Sequence, residues 1–408
     1  MSTTTVVPTE LWLFTTAFPY GSGESYLEQE LPVLAERFRR VVVVPLNERG
    51  LLRALPPNVD VLHWPTDPGR PASVGSMLRR PGLFLQLLRG ARGPGPRPMP
   101  WRDAFSLARQ VLARVDVLRA RLLADRAPDD VLLYAYWMFD QAAMVAAMHA
   151  LDARWRAVAR VHGFDLYPER SPWGHFPFRA FTLQNLQRIF TSSAAGLKVM
   201  QQRHPELAGR FFLARLGTTD HGAGPWEPAP ALRVVSCSNL IPLKRVDLLI
   251  EALRLTTTAV EWTHYGGGPE QERLRALSAT LPPHVQCQWK GAVANREVLK
   301  HYRTQPVDLF VHLSSTEGGV PVALQEAASF GIPLLAADVG GVGEIVGPTT
   351  GILLPSEPSA TQVATELDRF RQGPFATSEA RLQVREQWSA SYQGPANFGH
   401  FCDLLLGA

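Results

Sequence analysis

Short apolar runs alternate with longer amphipathic stretches along the whole chain, which is the pattern of repeated β-α units. In the first half, the predicted strands are residues 11–15, 41–45, 59–63, 131–136, 157–161, 189–191 and 212–216. In the second half, they are residues 233–237, 260–265, 285–289, 309–313, 333–337 and 352–354. Two independent sets of this kind predict an α/β fold with two doubly wound domains.

A stretch rich in glycine and proline separates the two sets of strands. Residues 218–231, TTDHGAGPWEPAPA, lack the periodicity of a helix or strand. We therefore predict an N-terminal domain over 1–220, a linker over 221–231 and a C-terminal domain over 232–385. A C-terminal helix within 386–408 is expected to pack back onto one of the domains.

Composition and charge add few constraints. The chain is 46% hydrophobic and 19% charged, typical of a globular protein with a sizeable core. The net charge is +4, and nearly all cations are arginines. This is either a bias in amino-acid usage or a basic surface for an anionic membrane or phosphorylated acceptor. We predict no nucleic-acid partner.

The cysteines and the N-terminus bear on the compartment. The three cysteines are widely spaced and predict neither a disulfide framework nor a zinc site. The first residues lack a basic start followed by an apolar core, and no apolar run approaches about 18 residues. We therefore expect a cytoplasmic protein.

Residues 70–100 do not fit the β-α pattern. They contain a basic apolar piece that runs into a tract of proline, glycine and arginine. One interpretation is an amphipathic surface helix that contacts anionic lipid or an acceptor through residues 75–100. It would place the protein peripherally on the inner face of the membrane. The other interpretation is a poorly ordered insertion between two strands.

Residues 308–344 form the most informative block. The sequence DLFVHLSSTEGGVPVALQEAASFGIPLLAADVGGVGE reads as strand, polar loop, helix, strand and glycine turn. It places Glu317, Glu326 and the pair Gly340 and Gly341 at one edge of a parallel sheet, where such sheets bind ligands. Carboxylates accept hydrogen bonds from sugar hydroxyls, and helix N-termini bind phosphate. A nucleotide sugar requires both.

Two cations precede a predicted helix in SNLIPLKRVD, residues 238–247. Lys244 and Arg245 oppose the helix dipole there, which is expected mainly where an anion neutralises them. We interpret them as ligands of a diphosphate, and the alternative is an exposed cationic turn.

Two motifs of the first half follow predicted strands. In FPYGSGE, Gly21 and Gly23 would let a ligand approach backbone amides, although a tight turn without a ligand has the same pattern. In VHGFDLY, His162 lies at the end of a strand, where it could bind a sugar hydroxyl or the leaving phosphate. Asp165 would orient His162 or bind the acceptor.

Several motifs are absent from the sequence. It has no D-x-D triplet for a metal on a diphosphate, no P-loop and no G-x-S-x-G nucleophile elbow. We therefore expect no metal and no cofactor, so Lys244, Arg245 and helix termini must meet the phosphate charge.

Together these residues resemble the retaining glycosyltransferases of family 4, which have the GT-B fold: two facing Rossmann-like domains with an interdomain cleft. The resemblance covers most of the chain and is most specific over residues 238–344. FPYGSGE and HGFDLY resemble the subgroup that builds exopolysaccharide or lipopolysaccharide repeat units.

The resemblance implies roles for the second half of the chain. Lys244 would bind the donor diphosphate, and Asn239 stands where the family usually has arginine, with Arg245 as a substitute. Glu317 and Glu326 correspond to the family's E-x7-E pair but are separated by eight residues. Glu326 would bind the ribose and Glu317 the donor sugar. The remaining expected donor contacts are Gly318, Gly319, Val320, Gly340 and Gly341.

In the N-terminal domain, Gly21 and Gly23 would face the donor phosphate and His162 the donor sugar. The acceptor would bind this domain, with Asp165 and Glu24 as candidate contacts. His162, Lys244 and Glu317 are the expected catalytic residues.

The resemblance implies transfer of a hexose from a nucleotide diphosphate sugar to a saccharide or lipid-linked acceptor, with retention at the anomeric carbon. Two alternatives stay open. A nucleotide-sugar epimerase shares the two-domain architecture and needs no acceptor. A non-catalytic saccharide-binding protein would accommodate the irregular glutamate spacing and the missing arginine.

Overall fold

The computed structural model describes residues 8–407 except Ser22, 65–73 and 94–96. The chain divides into two compact units, Met1–Ala214 with Phe398–Ala408 and Arg215–Asn397. The predicted linker, 221–231, belongs to the second unit because it packs there. The indole of Trp226 donates to Asp308 Oδ1 at 2.8 Å, and the amide of Gly224 donates to the carbonyl of Phe330 at 3.0 Å.

The first unit contains a parallel sheet in the order β3-β2-β1-β4-β5-β6-β7. Its strands are β1 Glu10–Thr15, β2 Arg40–Pro45, β3 Val59–Val61, β4 Val131–Ala135, β5 Arg156–Val161, β6 Arg188–Thr191 and β7 Phe211–Leu213. Its helices are α1 Leu27–Arg37, α2 Val74–Arg79, α3 Pro81–Arg92, α4 Trp101–Val117, α5 Asp140–Leu151, α6 Gly163–Leu166, α7 Arg179–Asn185 and α8 Ala194–Arg203. The central strands are buried along almost their whole length, as expected for strands covered on both faces.

The second unit contains a parallel sheet in the order β10-β9-β8-β11-β12-β13. Its strands are β8 Leu232–Cys237, β9 Val260–Tyr265, β10 Val285–Gly291, β11 Leu309–His312, β12 Leu334–Ala337 and β13 Gly351–Leu354. Its helices are α9 Val246–Leu255, α10 Gln271–Ser278, α11 Asn295–Thr304, α12 Val322–Ser329, α13 Ala360–Arg369 and α14 Ser378–Tyr392. Each of the thirteen predicted strands overlaps an observed one, and the predicted α/β class with two doubly wound sheets is confirmed.

The C-terminal segment is helical, with α14 followed by α15, Gly394–Leu406. Helix α14 packs against α12 of the second unit. From Phe398 onward, α15 belongs to the first unit, where Phe401 and Cys402 are buried. Of the helices formed by described residues, none has the length and apolar character that a membrane span requires.

The strand order places two switch points, one in each sheet. In the first sheet, the order reverses between β1 and β4, and in the second between β8 and β11. Loops at the carboxyl ends of such neighbouring strands are where doubly wound sheets bind ligands. The loops that follow these four strands therefore define the candidate site in each unit.

Candidate active site

Two loops of the second unit bring a lysine, a glutamate and a histidine into contact at the switch point. Lys244 lies after β8, and Glu317 follows β11, whose last residue is His312. Lys244 Nζ donates a hydrogen bond to Glu317 Oε1, and His312 Nε2 lies 2.9 Å from the same oxygen. The structure thus brings the two predicted residues together and adds His312, which we did not predict. The sequence feature that could have identified His312 is its position at the carboxyl end of an apolar predicted strand.

Glu317 is ionised at neutral pH despite its burial. Burial by itself would raise its pKa, but the hydrogen bond to His312 and the charge of Lys244 outweigh burial and lower the pKa to about 2. The side chains of Lys244 and Glu317 are only 19% and 16% exposed, so solvent screens the pair weakly. An anion that binds Lys244 must therefore share this cation with Glu317.

Arg245 makes hydrogen bonds within the protein that the sequence did not predict. Its backbone adopts a left-handed conformation with φ of 47°. Its guanidinium donates to three carbonyl oxygens, those of Leu313 at 2.5 Å, Ser314 at 2.9 Å and Ser356 at 2.9 Å. Arg245 therefore ties the loop after β8 to the loop after β11 and positions the neighbouring Lys244, and its contact with a diphosphate stays a prediction.

Glu326 is a second buried carboxyl close to this switch point. It lies on α12 and is 5% exposed, and Asn295 Nδ2 donates to its Oε1 at 2.9 Å. Burial raises the pKa of Glu326 to about 7, and the hydrogen bond to Asn295 only partly offsets this. The two glutamates of the predicted pair therefore differ, because Glu317 has cationic and histidine partners whereas Glu326 has one amide.

We expect the ligand-free protein to lose stability as Glu326 ionises. The folded state holds its proton up to pH about 7, whereas an ordinary glutamate releases it near 4.5. The contribution of the protonated Glu326 to the free energy of unfolding is therefore fully present below pH 4.5. As the pH rises through 7, this contribution is lost, and the free energy of unfolding falls by about 3 kcal/mol. Urea denaturation at pH 5 and pH 8 measures the loss, and Glu326→Gln removes this titration. If the free energy of unfolding depends on pH equally in the wild type and in Glu326→Gln, the expectation is wrong.

The glycine turn after β12 lies against the loop that carries Glu317. A Cβ on Gly340 would lie 1.8 Å from the carbonyl oxygen of Glu317, and Gly340 has a φ of 57°. A Cβ on Gly341 would lie 2.7 Å from the carbonyl carbon of Gly319. The absent side chains thus allow two backbone segments to touch. Contact of these two amides with a diphosphate stays a prediction.

The other predicted donor contacts lie in the same two loops. Gly318, Gly319 and Val320 connect Glu317 to α12, and the carbonyl of Val320 accepts a hydrogen bond from Gln325 Nε2 at 3.0 Å. Asn239 is exposed in the loop after β8. Their donor-binding roles stay predictions.

In the first unit, His162 follows β5 and packs between two aromatic rings. It is 8% exposed, and its ring centroid lies 4.7 Å from that of Tyr136 and 4.5 Å from that of Trp137. Across the described residues, neither ring nitrogen of His162 has a hydrogen-bond partner. Burial, and then the charge of Arg160, lowers its pKa well below the ordinary value. A neutral imidazole offers one donor and one acceptor to a ligand.

Glu24 stabilises the loop after β1, so our prediction that it contacts the acceptor needs correction. Its carboxylate accepts the indole N–H of Trp137 at 2.6 Å. It also accepts three backbone N–H groups, those of Thr16 at 3.0 Å, Ala17 at 2.8 Å and Phe18 at 2.8 Å. With these four hydrogen bonds, Glu24 holds the loop and orients the indole that packs on His162.

Asp165 also has partners within the protein. It is fully buried, and its carboxylate accepts the backbone N–H of Met138 at 2.7 Å and that of His162 at 2.5 Å. Burial raises its pKa to about 6. The contact with His162 is to its backbone N–H and not to its ring, so the role of Asp165 in orienting the imidazole stays a prediction. The predicted acceptor contact does not agree with the structure, because the carboxylate is enclosed and both of its oxygens are used.

An unpredicted arginine supports the glycine loop. Arg53 Nε donates to the carbonyl of Gly21 at 2.8 Å, and Arg53 Nη2 donates to the carbonyl of Gly23 at 2.6 Å. Its guanidinium also forms an ion pair with Glu28 at 3.0 Å. No sequence motif marks Arg53. The predicted contact of Gly21 and Gly23 with a donor phosphate stays a prediction.

A buried ion pair lies in the core of the first unit and was also missed. Glu30 of α1 and Arg160 of β5 are both 0% exposed, and Arg160 Nη1 donates to Glu30 Oε2 at 2.5 Å. The guanidinium carbon of Arg160 lies 4.0 Å from the ring centroid of Phe401. Burial raises the pKa of Glu30 more than the charge of Arg160 lowers it. The signal was an arginine within the otherwise apolar run of β5.

Comparisons with known proteins give consistent findings. The family model described as "Glycosyl transferases group 1" matches residues 227–388. The chain is 31% identical over 307 residues to the "GDP-mannose-dependent alpha-(1-6)-phosphatidylinositol monomannoside mannosyltransferase" of Mycobacterium tuberculosis H37Rv, covering 67% of this chain and 76% of that protein. It is 26% identical over 180 residues to the "Amylovoran biosynthesis glycosyltransferase AmsK" of Erwinia amylovora.

The aligned regions differ in extent. The match to AmsK covers 43% of this chain and 44% of AmsK, and that to WcaL of Salmonella typhimurium, named for colanic acid biosynthesis, covers 46% of WcaL. The chain thus spans less than half the length of these two relatives.

Two solved structures share the fold over nearly the whole chain. Alr3699/HepE of Anabaena, solved in complex with UDP, has a TM-score of 0.67 at 16% identity, over 98% of this chain and 100% of that one. Sucrose-phosphate synthase of Thermosynechococcus elongatus has a TM-score of 0.71 at 16% identity, over 97% and 98%. At such low identity these likenesses show the fold alone, and the fold is the GT-B type that the resemblance implied.

Proposed function

Because the chain belongs to the glycosyl transferases group 1 family, we propose that it transfers a hexose from a nucleotide diphosphate sugar to a saccharide or lipid-linked acceptor, with retention at the anomeric carbon. The observation that carries this proposal is the contact of Lys244 with Glu317 at the switch point, close to the buried Glu326. One cation and two carboxyls of unequal pKa suit a ligand that has both phosphates and hydroxyls.

Each group then has a part in donor binding. Lys244 binds the diphosphate. Glu317 accepts a hydrogen bond from a hydroxyl of the transferred sugar, and Glu326 accepts hydrogen bonds from the ribose hydroxyls. The mycobacterial relative is named for GDP-mannose, and HepE was solved with UDP. These names support a nucleoside diphosphate sugar as the donor class.

The chemistry follows from the charges. The bond between the anomeric carbon and the diphosphate oxygen breaks, the acceptor oxygen bonds to that carbon, and the acceptor proton passes to the leaving phosphate. Lys244 stabilises the negative charge that develops on this phosphate. Glu317 Oε1 is held by Lys244 and His312, so we assign Glu317 to donor binding rather than to covalent catalysis and propose same-face substitution assisted by the leaving group.

We also propose that the reaction needs no metal ion, because the sequence has no D-x-D triplet and Lys244 can supply the positive charge at the diphosphate. The few, widely spaced cysteines favour a reducing compartment, so we place the reaction in the cytoplasm, at the membrane surface where lipid-linked acceptors lie.

Thermal denaturation with UDP-, GDP-, ADP- and dTDP-sugars tests the donor site. A ligand at about 100 times its Kd should add about 2.7 kcal/mol to the free energy of unfolding. We expect stabilisation by one nucleotide class in the wild type and none in Glu326→Gln. If no nucleotide stabilises the protein, the proposed donor site is wrong.

Retention is tested on the same nucleotide sugar. Slow transfer of the sugar to water releases free hexose, whose first-formed anomer can be identified by proton NMR before mutarotation. Retention predicts the anomeric configuration of the donor. The opposite anomer would indicate an inverting enzyme, and an altered sugar still bound to its nucleotide would indicate an epimerase.

A further inference from the structure

The positive charge of this chain is concentrated in one segment of the first unit. Residues 74–110 contain seven arginines and one acidic residue, Asp103, so their net charge is +6. The rest of the chain has 34 cations and 36 acidic residues, a net charge of −2. The net positive charge therefore comes entirely from the segment that includes α2, α3 and the first half of α4.

Large apolar side chains are exposed in the same segment. Leu85 of α3 is 49% exposed, and Trp101 and Phe105 of α4 are 56% and 41% exposed. The four-residue spacing places Trp101 and Phe105 on one face of α4, and likewise Leu85 and Arg89 on one face of α3. The opposite faces of both helices are buried in the core, so the core does not require these exposed side chains.

Side-chain contacts join the two exposed faces into one surface. The rings of Phe84 and Phe105 meet edge to face with centroids 5.3 Å apart. The guanidinium carbon of Arg92 lies 4.1 Å from the ring centroid of Trp101. We call the surface formed by Leu85, Arg89, Arg92, Trp101, Arg102 and Phe105 the α3–α4 face.

The arginines of the α3–α4 face differ in their pairing from the other arginines of the segment. Elsewhere in the segment, Arg79 and Arg80 both form ion pairs with Asp116. Arg89, Arg92 and Arg102, by contrast, have no ion pair with any carboxylate of a described residue. Three uncompensated arginines beside exposed aromatic rings predict a partner that is both anionic and apolar.

We propose that the α3–α4 face docks on a membrane surface that contains anionic phospholipid. Trp101, Phe105 and Leu85 would enter the headgroup region while the arginines contact lipid phosphates, as in helices that lie in the membrane plane. Docking would bring the enzyme to lipid-linked acceptors, so its biological purpose rests on the proposed function. An acidic polysaccharide would satisfy the arginines and stack on the aromatic rings, but it offers no apolar contact to the exposed Leu85.

Vesicle co-sedimentation of the full-length protein tests the proposal, with no nucleotide or acceptor present. We expect binding to phosphatidylglycerol–phosphatidylcholine vesicles, weak binding to pure phosphatidylcholine, and loss of binding at high salt. Each basic residue at such a surface contributes about fivefold in affinity. The triple variant Arg89→Gln, Arg92→Gln, Arg102→Gln should therefore bind about a hundredfold more weakly.

A matched control removes the same charge from the second unit. Arg275, Arg303 and Arg371 are exposed there, and their replacement by glutamine should leave vesicle binding near that of the wild type. Equal loss in both triple variants would overturn the proposal, since net charge alone would then explain the binding. No binding to anionic vesicles above that to phosphatidylcholine would also overturn it.

The apolar half of the face needs its own variant. Trp101→Ser with Phe105→Ser should weaken vesicle binding at each salt concentration at which the wild type binds, and circular dichroism checks that the fold is retained. If this variant binds vesicles and soluble dextran sulfate as the wild type does, the partner is a general polyanion and the proposal is wrong. Vesicle binding without any nucleotide-sugar stabilisation would instead uphold the docking face and remove the transferase function.

Discussion

Replacing Lys244 by alanine is expected to lower kcat/KM by about 100- to 1,000-fold, or about 2.7–4 kcal/mol of transition-state stabilisation. In the proposed reaction, Lys244 supplies the positive charge at the leaving phosphate. Glu317 would keep its hydrogen bond to His312 but lose its cation. The site would then be net negative where negative charge develops. Steady-state kinetics with the stabilising nucleotide sugar measures the loss.

The matched control is Lys300→Ala, which removes an exposed lysine of α11 and should leave kcat/KM nearly unchanged. Glu317→Gln and the double variant complete a double-mutant cycle. Because the two side chains are in contact, the losses should not add. Near-normal turnover of Lys244→Ala would remove Lys244 from the proposed mechanism.

Replacing Glu30 by alanine should lower the free energy of unfolding by about 3–5 kcal/mol. Arg160 would be left as a fully buried cation in the core of the first unit, with aromatic rings around it and no carboxylate. For a unit of this size, the midpoint of thermal unfolding should fall by roughly 6–20 °C. Thermal denaturation followed by circular dichroism measures it.

Two comparisons separate this effect from ordinary loss of an ion pair. Asp60→Ala breaks the exposed pair with Arg40 and should cost less than about 1 kcal/mol. The double variant Glu30→Leu with Arg160→Met removes both charges and should be more stable than Glu30→Ala, since apolar replacement of a whole buried pair is often nearly neutral. If Glu30→Ala lowers the free energy of unfolding no more than Asp60→Ala does, the buried pair of Glu30 and Arg160 contributes little to stability.

The contact between Lys244, Glu317 and His312 bears on the irregular glutamate spacing. Glu317 and Glu326 are separated by eight residues, and the additional residue lies in the loop before α12. His312 and Lys244 nevertheless hold the carboxylate of Glu317 at the switch point. Side chains from β11 and the loop after β8 thus hold Glu317 at the switch point despite the eight-residue spacing.

The prediction of strands succeeded because a strand in a parallel sheet is buried on both faces. Val41, Val42, Val43 and Val44 in β2 form such a run, and each is fully buried. The boundary between the units could not be predicted in the same way. Residues 221–231 have the composition of a linker, but Trp226 and Gly224 bind groups that lie about one hundred residues further along the chain.

Some of the predicted site residues lie together and others do not, because their contacts also depend on residues that are distant in sequence. Lys244 and Glu317 were predicted because each lies in a loop after a buried strand, and strand order then brings the loops together. Glu24 and Asp165 lie in loops of the same kind, yet their carboxylates are satisfied by backbone amides within the first unit. The residue type and loop position did not distinguish a ligand contact from a structural hydrogen bond.

The sequence by itself determined the α/β class, the thirteen strands and the loops that carry the candidate chemistry, because hydrophobic periodicity and turn residues act over short stretches of chain. Only the tertiary structure decided which charged groups are available to a ligand. It paired Lys244 with Glu317, used Arg245 on carbonyl oxygens and buried Glu30 against Arg160. Charge, hydrogen bonding and burial depend on neighbours that are distant in sequence, and these neighbours set the pKa and accessibility of each group.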